Sequence, residues 1–424
     1  RNLAVFEKRT CYGIRWSPDG TPIAFNSTSL TGNVAESSGV NLVQVETGSL
    51  TQTVPTNWMG PYTALEWSPD GRKFIIGQAA EVIAHVIGSP SLIMEYNLDT
   101  RINTPLFWAQ LRLPKGSWGS STMAVLANGD VVLDEQIDFT NLLRYNIQDG
   151  EIGQSEILAS GLSIDRQPVY SPDGRQLMFS SNRSGNVDVW IRDLTTGQTH
   201  RLTDDEAGDW DPAFTPDGKS VLWSSDRSGN MEIWMADTDG SGARKITSDG
   251  VDAENPTMTS DEQWILYASG HDEKQGIWKI HPDGTEATRL AEGSYLLPEV
   301  SPDGRYVMFM LIQKLDYFVE FVEVETGRML DFRLDLKVLE HDENLVFGRA
   351  RWLPDGSGVV FIGQDEAGTS GVYLTDFDPD GLWDGQRRKV AGFDPNFTTE
   401  SLGICPDGKQ VVISASTERR TLLR

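Results

Sequence analysis

Nine residues near the C-terminus carry the sharpest chemical signal in this 424-residue chain. In Asp376-Phe-Asp-Pro-Asp-Gly-Leu-Trp-Asp384 the carboxylates of Asp376, Asp378, Asp380 and Asp384 stand at positions 1, 3, 5 and 9, with glycine at position 6. Short acidic side chains at that spacing converge because glycine permits the sharp turn between them. The carbonyl at position 7, here Leu382, adds an oxygen, which completes the ligand set of a Ca2+ loop. The Glu that closes an EF-hand at position 12 is replaced by Arg387, so the expected ion is structural and the loop is not an EF-hand. The competing reading is a solvated acidic turn, of the kind written at Asp237-Thr-Asp-Gly240. A second set of charged residues recurs along the chain: Asp165 and Arg166, Asp209 and Asp211, Glu254 and Asn255, and Glu299. Each precedes a short apolar run, and two uses are open to them: binding a protein or peptide, or capping backbone amides within the fold.

Motifs for covalent, hydrolytic or redox chemistry do not occur. There is no Gly-x-Ser-x-Gly nucleophile elbow, no His-Glu-x-x-His and no Gly-x-Gly-x-x-Gly. Gly403-Ile-Cys-Pro-Asp-Gly-Lys409 imitates a phosphate loop, but Gln410 stands where Ser or Thr must hold Mg2+, and the segment reads as a hairpin turn. His85, His200, His271, His281 and His341 occupy unrelated places and form no predicted catalytic or metal group. The expectation is a protein without a reaction centre.

The elements that must position these residues are written as a repeat. Asp165-Arg-Gln-Pro-Val-Tyr-Ser-Pro-Asp-Gly174, followed by Gln176-Leu-Met-Phe-Ser-Ser-Asn-Arg-Ser-Gly-Asn186, recurs 44 residues later (209 − 165) as Asp209-Trp-Asp-Pro-Ala-Phe-Thr-Pro-Asp-Gly218 and Ser220-Val-Leu-Trp-Ser-Ser-Asp-Arg-Ser-Gly-Asn230. The Pro-Asp-Gly turn returns at Pro18, Pro69, Pro302, Pro354 and Pro406, with weaker copies at Thr259-Ser-Asp-Glu262 and Ala127-Asn-Gly-Asp130. Each unit has apolar runs on both sides of the turn, an alternating stretch such as Met231-Glu-Ile-Trp234, and a fourth run such as Lys245-Ile-Thr247. Four short antiparallel strands per unit, repeated at this period, predict the blades of a propeller. Rotation about the axis would gather the recurring charged residues into a ring at the channel mouth, opposite the Pro-Asp-Gly turns. Trp190, Trp223, Trp234 and Trp278 are expected in the core between blades. The segments 78–90 and 107–121 break the pattern and are expected to carry surface particular to this protein.

Charge and composition exclude whole classes of function. Lys and Arg total 36 against 62 Asp and Glu, a net charge of −26, which repels phosphate backbones and argues against nucleic acid. No apolar stretch approaches the roughly 20 residues needed to span a bilayer as a helix. The two cysteines cannot form a disulfide scaffold, and Cys11 lies six residues before Ser17 whereas Cys405 stands at the matching turn position. Two free, buried and inert thiols are predicted.

The units resemble the TolB-type propeller repeat, and the likeness runs over essentially the whole chain, strongest in the copies from Asp165 and Asp209. It implies an all-β fold: a single propeller of eight or nine four-stranded blades over residues 1–424, with repeats beginning near 11, 62, 121, 165, 209, 254, 297, 348 and 399. Residues 1–10 are expected as the strand that completes the last blade. The loop at Asp376 is similar to the calcium hairpins of integrin α propellers. The resemblance further implies that the acidic mouth docks a protein or peptide, in the periplasm or outside the cell, with a leader removed ahead of Arg1. Two other functions stand beside this one: a channel-mouth enzyme, such as a propeller polysaccharide lyase or lactonase, and a structural subunit of a surface assembly.

Overall fold

The Ser-Pro-Asp-Gly turn shows why the chain builds hairpins. In the computed structural model the Gly174 amide donates to the Ser171 carbonyl at 2.9 Å, and Gly174 takes φ 70°, a region that favours glycine. The Ser171 hydroxyl donates to Asp173 at 2.7 Å and accepts from the Gln176 amide at 2.9 Å, so the turn holds its own hydroxyl and carboxylate in place. Thr259-Ser-Asp-Glu262 keeps the shape without glycine: Glu262 takes φ 59°, at a cost of roughly 1–2 kcal/mol. Its carboxylate accepts from the Asp217 amide of the preceding unit at 2.9 Å, an interaction glycine could not make.

The structure describes the chain except residues 1–8, 30–38, 56–61, 80–90, 110, 112–122, 148–154, 162, 249–251, 271–273, 314–315, 337–348, 365–369, 380–385, 392–398 and 424. Most of the two irregular segments singled out above therefore lies outside the described residues. Among the described residues the regular elements are strands, and no helix is long and apolar enough to cross a membrane. They form eight antiparallel sheets, seven of which have four strands in chain order, as the repeat predicts.

The chain divides into two compact units, Arg1–Asp138 with Arg419–Arg424, and Phe139–Glu418. The first holds the sheets that begin with strands Arg9–Trp16 and Tyr62–Trp67, and the pairing of Met123–Val125 with the start of Val131–Asn146. The second holds six sheets, here blades 1 to 6, whose innermost strands are Asp165–Tyr170, Asp209–Phe214, Glu254–Met258, Tyr295–Val300, Arg351–Trp352 and Thr399–Ile404. Each innermost strand packs against the next, and the sixth packs against the first, so the six close into a ring.

Closure differs from the expectation. Residues 1–8 are outside the described part, while Arg9 and Thr10 begin a strand of the first unit, opposite Ser29 and Thr28. Blade 6 is completed from the start of its own unit: its order is Thr399–Ile404, Gln410–Leu423, Val131–Asn146, Glu156–Ala159. The reason is complementarity of apolar side chains. Leu143 and Tyr145 pack with Leu402, Val411 and Ile413, while Leu142, on the other face, is buried with Val412 and with Tyr170 and Phe179 of blade 1. Burial on both faces stabilises a large aliphatic side chain by about 1.5–3 kcal/mol.

The rim that carries the turns repeats the closure. Four turn glycines of the ring lie against the turn proline of the neighbouring blade, with Gly218 beside Pro172, Gly356 beside Pro302 and Gly408 beside Pro354, while Gly304 lies against Ser260, which stands in the proline's place. Gly174 lies beside Pro406, which joins the first blade to the sixth. Both cysteines are free, as expected, but Cys11 is exposed and Cys405 half-buried. The strand register puts Cys11 opposite Ser27 at the open end of its sheet, so the prediction of burial fails there. Desolvation raises the pKa of the Cys405 thiol.

Candidate binding site at the inner rim

Seven residues before each turn glycine, or Glu262 in its place, the six blades carry Gln167, Asp211, Asn255, Leu297, Arg349 and Ser401. In blades 1 to 4 this residue sits at a bulge, where the register of the innermost strand shifts. It takes φ of 55°, 52°, 56° and 54° at Gln167, Asp211, Asn255 and Leu297. Four non-glycine residues in that conformation cost roughly 1–2 kcal/mol each, so the fold holds them there against their own preference. A proline follows each of the four and cannot donate to the strand pairing, which fits the bulge.

Hydrogen bonds join these positions around the ring. The Gln167 amide donates to Ser401 Oγ at 2.9 Å, and the Asp211 amide donates to Gln167 Oε1 at 3.0 Å. Gln167 Nε2 donates to Asp211 Oδ1 at 2.6 Å, and Ser180 Oγ donates to Gln167 Oε1 at 2.7 Å. Further round, the Asn255 amide donates to Ser224 Oγ at 3.0 Å and the Leu297 amide to Asn255 Oδ1 at 3.2 Å. Between blades 4 and 5 the pattern changes, because Leu297 offers no side-chain acceptor.

The sequence-predicted residues therefore divide. Asp211, Asn255 and Glu254 belong to this ring or lie beside it, with Asp211 and Asn255 5% exposed and Glu254 half-buried. Arg166 is buried one position earlier, and Glu299, half-buried, lies two positions later. Asp165 and Asp209 do not join them: both are fully buried and serve the fold. Asp209 accepts from Arg227 Nη2 at 3.0 Å through both oxygens and from Trp223 Nε1 at 3.0 Å. Asp165 accepts from Arg183 Nη2 at 2.7 Å through both oxygens, and from Ser181 Oγ at 2.6 Å.

The two arginines come from the repeated Arg-Ser-Gly loops and lie over aromatic rings. Arg183 is 5.1 Å from the Phe179 centroid and 5.2 Å from Trp190, and Arg227 is 5.3 Å from Trp223 and 4.7 Å from Trp234. Trp223 is core, as expected, and Trp190, Trp234 and Trp278, half-buried, pack against the core clusters, the first two also lying under these arginines. Burial pushes the Asp209 pKa up, and the Arg227 charge opposes that shift.

Sequence reasoning missed Gln167, Ser401, Arg349 and Arg351. Glu299 accepts from Arg351 Nη1, and Arg351 Nε donates to the Leu402 carbonyl at 2.9 Å, which ties blades 4, 5 and 6 together. Arg349 is 4% exposed and Arg351 6% exposed. Desolvation lowers the Arg349 pKa to about 10 and Arg351 adds to the shift, while Asp211 and Glu299 oppose it, so the guanidinium stays charged at neutral pH. One signal existed: in the repeats quoted above, the residue before the proline of the innermost strand is Gln167 or Asp211. Counting back from every turn would have reached Arg349 and Ser401.

The acidic loop lies in blade 5. Asp376 ends the strand Ser370–Asp376 and is exposed, and Asp378 is half-buried, while Asp380, Leu382 and Asp384 lie outside the described residues. The loop joins strands that pair, Tyr373 opposite Lys389 and Leu374 opposite Arg388, as the sequence predicts. No group of three potential metal ligands occurs among the described residues.

Four-stranded antiparallel sheets arranged in a closed ring around an axis define a β-propeller. Residues 143–338 match the family model described as the TolB beta propeller domain. That stretch, which holds blades 1 to 4, is thus similar to a TolB-type propeller. Among solved structures it is similar to TolB from Acinetobacter baumannii, at 15% identity, covering 79% of this chain and 78% of that one with a TM-score of 0.46. It is also similar to an oligogalacturonate lyase from Vibrio parahaemolyticus, at 13% identity over 66% of this chain and 98% of that one, with a TM-score of 0.40. An uncharacterized protein of Agrobacterium fabrum is 26% identical over 175 residues, 41% of this chain. The matched stretch spans 52% of that relative, about half its length.

Proposed function

We propose that this protein is a non-catalytic binding module, which docks a protein or peptide at the inner rim of its six-bladed ring, in the periplasm or the extracellular space. The observation that carries the reading is the polar ring itself. Four residues are held at unfavourable φ so that Gln167, Asp211 and Asn255, with Glu254, Glu299, Arg349 and Arg351 near them, meet where the innermost strands begin. The match of residues 143–338 to the TolB beta propeller domain supports it, as does the net charge of −26, which disfavours nucleic acid as partner.

The test is affinity capture from the native source with the full chain. Glu254→Lys, at the ring, is expected to lose the partner, and Glu325→Lys, an exposed residue of an outer-strand turn, is expected to keep it. Equal capture by both variants would contradict the reading. Asp209 is unsuitable for this purpose, because reversing a fully buried charge that pairs with Arg227 tests folding.

We also propose a structural Ca2+ ion on the loop from Asp376 to Asp384. An ion that binds only the folded state stabilises it by about 2.7 kcal/mol at a hundred times its dissociation constant. Thermal unfolding in CaCl2 and in EGTA is expected to differ in the native chain and to coincide in Asp378→Asn. Coincidence in the native chain would leave a solvated acidic turn.

A further inference from the structure

Among the described residues, the strongest sign of a missing ligand is a set of buried guanidinium donors with nothing to hold. Arg349 Nε and Nη2 and Arg351 Nη2 are buried and have no hydrogen-bond partner there. Nε–H and Nη2–H lie along one edge of a guanidinium and point the same way, and a carboxylate meets both at once. At other arginines the protein fills that edge: Arg72 gives Nε and Nη2 to Asp99, Arg144 gives both to Glu156, and Arg183 gives Nε to Ser181 and Nη2 to Asp165, while Arg201 gives Nη2 to Asp188 and leaves Nε unfilled.

The edge of Arg349 is open at a particular place in the ring. It stands where Gln167, Asp211 and Asn255 stand in blades 1 to 3, and it follows Leu297, the one ring residue whose side chain carries no polar atom. Arg351 is held by its other nitrogens, with Nη1 on Glu299 and Nε on the Leu402 carbonyl, so its remaining Nη2 is pre-positioned. Asp211 and Glu299 act on Arg349 electrostatically, but the unfilled groups are all N–H donors, which a metal ion or an ammonium, having no acceptor, does not satisfy. A planar anion with two acceptor oxygens satisfies the three open donors.

We propose that Arg349 and Arg351 form a carboxylate-binding fork in the six-bladed ring, which takes a carboxylate-bearing ligand. The inference deepens the binding reading above and rests on it. The carboxylate has two sources, a small free acid or the acidic side chain or C-terminus of a peptide. Arg349 remains cationic at neutral pH despite its burial, which the fork requires.

Isothermal titration of the full chain tests this with succinate, with its neutral isostere succinamide, and with a heptapeptide of aspartates. Succinate or the peptide is expected to bind and succinamide to fail; whichever of the two binds more tightly assigns the source. Arg349→Lys keeps the charge and loses the fork, and is expected to weaken binding at least tenfold. Arg349→Met is expected to abolish it, whereas Arg175→Met, an exposed arginine, leaves it unchanged. Thermal unfolding supplies a second readout: without ligand, Arg349→Met is expected to melt higher than the native chain, because two buried donors without hydrogen-bond partners are removed.

If Arg349→Met melts lower and neither carboxylate binds, the arginine is structural and the proposal falls. Binding unchanged by Arg349→Met also overturns it. Loss of capture by Glu254→Lys in that case would show that the rim still binds a partner and that only the fork is wrong.

Discussion

The two rims of the six-bladed ring obey different rules. On the turn rim almost every position repeats: a hydroxyl donates to the turn aspartate, and the turn glycine lies against its neighbour's proline. On the opposite rim the structurally equivalent residues are Gln167, Asp211, Asn255, Leu297, Arg349 and Ser401, six different side chains at one position. The turn rim satisfies its polar groups within the turn, while the inner rim satisfies them between blades and leaves Arg349 with open donors. A repeated rim is the requirement of a fold, and a varied one is free to recognise something. Asp165 and Asp209 show that position on the rim is not enough, since both are consumed by the arginine of their own blade.

That contrast predicts a ranked series of effects. The largest belongs to the repeated Asp–Arg network, where Arg227→Met strands the fully buried Asp209 carboxylate. It is expected to cost about 3 kcal/mol in urea unfolding, the lower end for breaking a buried pair because Arg227 keeps some exposure. A loss below 1 kcal/mol would mean that this network belongs with the variable rim. Next comes Gly218→Ala on the turn rim, where φ is 70° and an added Cβ meets Pro172 Cδ at 3.5 Å, an ordinary contact. The backbone conformation alone sets its cost at about 1 kcal/mol, read as a lower unfolding midpoint.

The smallest effect is a pH dependence. The Ser171 hydroxyl and then the Arg175 amide hold the Asp173 carboxyl below the usual carboxylate range, and Asp407 is held down in the same manner by the Lys409 amide and Cys405. A lowered folded-state pKa contributes stability above the unfolded value near 3.8, and that stability is lost as pH falls through the folded value. Asp209 has the opposite sign: its raised pKa favours the protonated folded state, so its contribution falls as pH rises from the unfolded value through the folded one. The chain is thus expected to lose stability below pH ~4, and Asp173→Asn, which keeps an acceptor but cannot titrate, is expected to flatten that limb. An unchanged slope in the variant would show that the turn rim does not set the acid limit.

Much of the architecture was legible because it is local. The turns, the four strands per unit and the outer loops are each written within about ten consecutive residues, and the sheets follow them. Closure was not legible. The pairing of Val131–Asn146 with Gln410–Leu423 joins segments more than 250 residues apart, and no turn or spacing marks it. Leu143 and Tyr145 read only as apolar residues until Val411 and Ile413 are seen against them. The site was half legible for a related reason. Asp-x-x-Pro announced blades 1 and 2, but blades 5 and 6 begin Gly348-Arg-Ala and Glu400-Ser-Leu, and nothing in those letters says that Arg349 and Ser401 share a ring with Asp211. Charge drew attention to Asp209, where burial makes it structural.

The central claim, that the varied rim recognises a partner and the repeated rim does not, is tested most directly by photo-crosslinking from both. Benzoylphenylalanine is placed at Glu254 on the inner rim and at Lys219 beside the turn of blade 2, and each chain is irradiated in extract of the native source. A specific adduct from position 254 and none from position 219 is the result expected, and adducts from position 219 alone would contradict it.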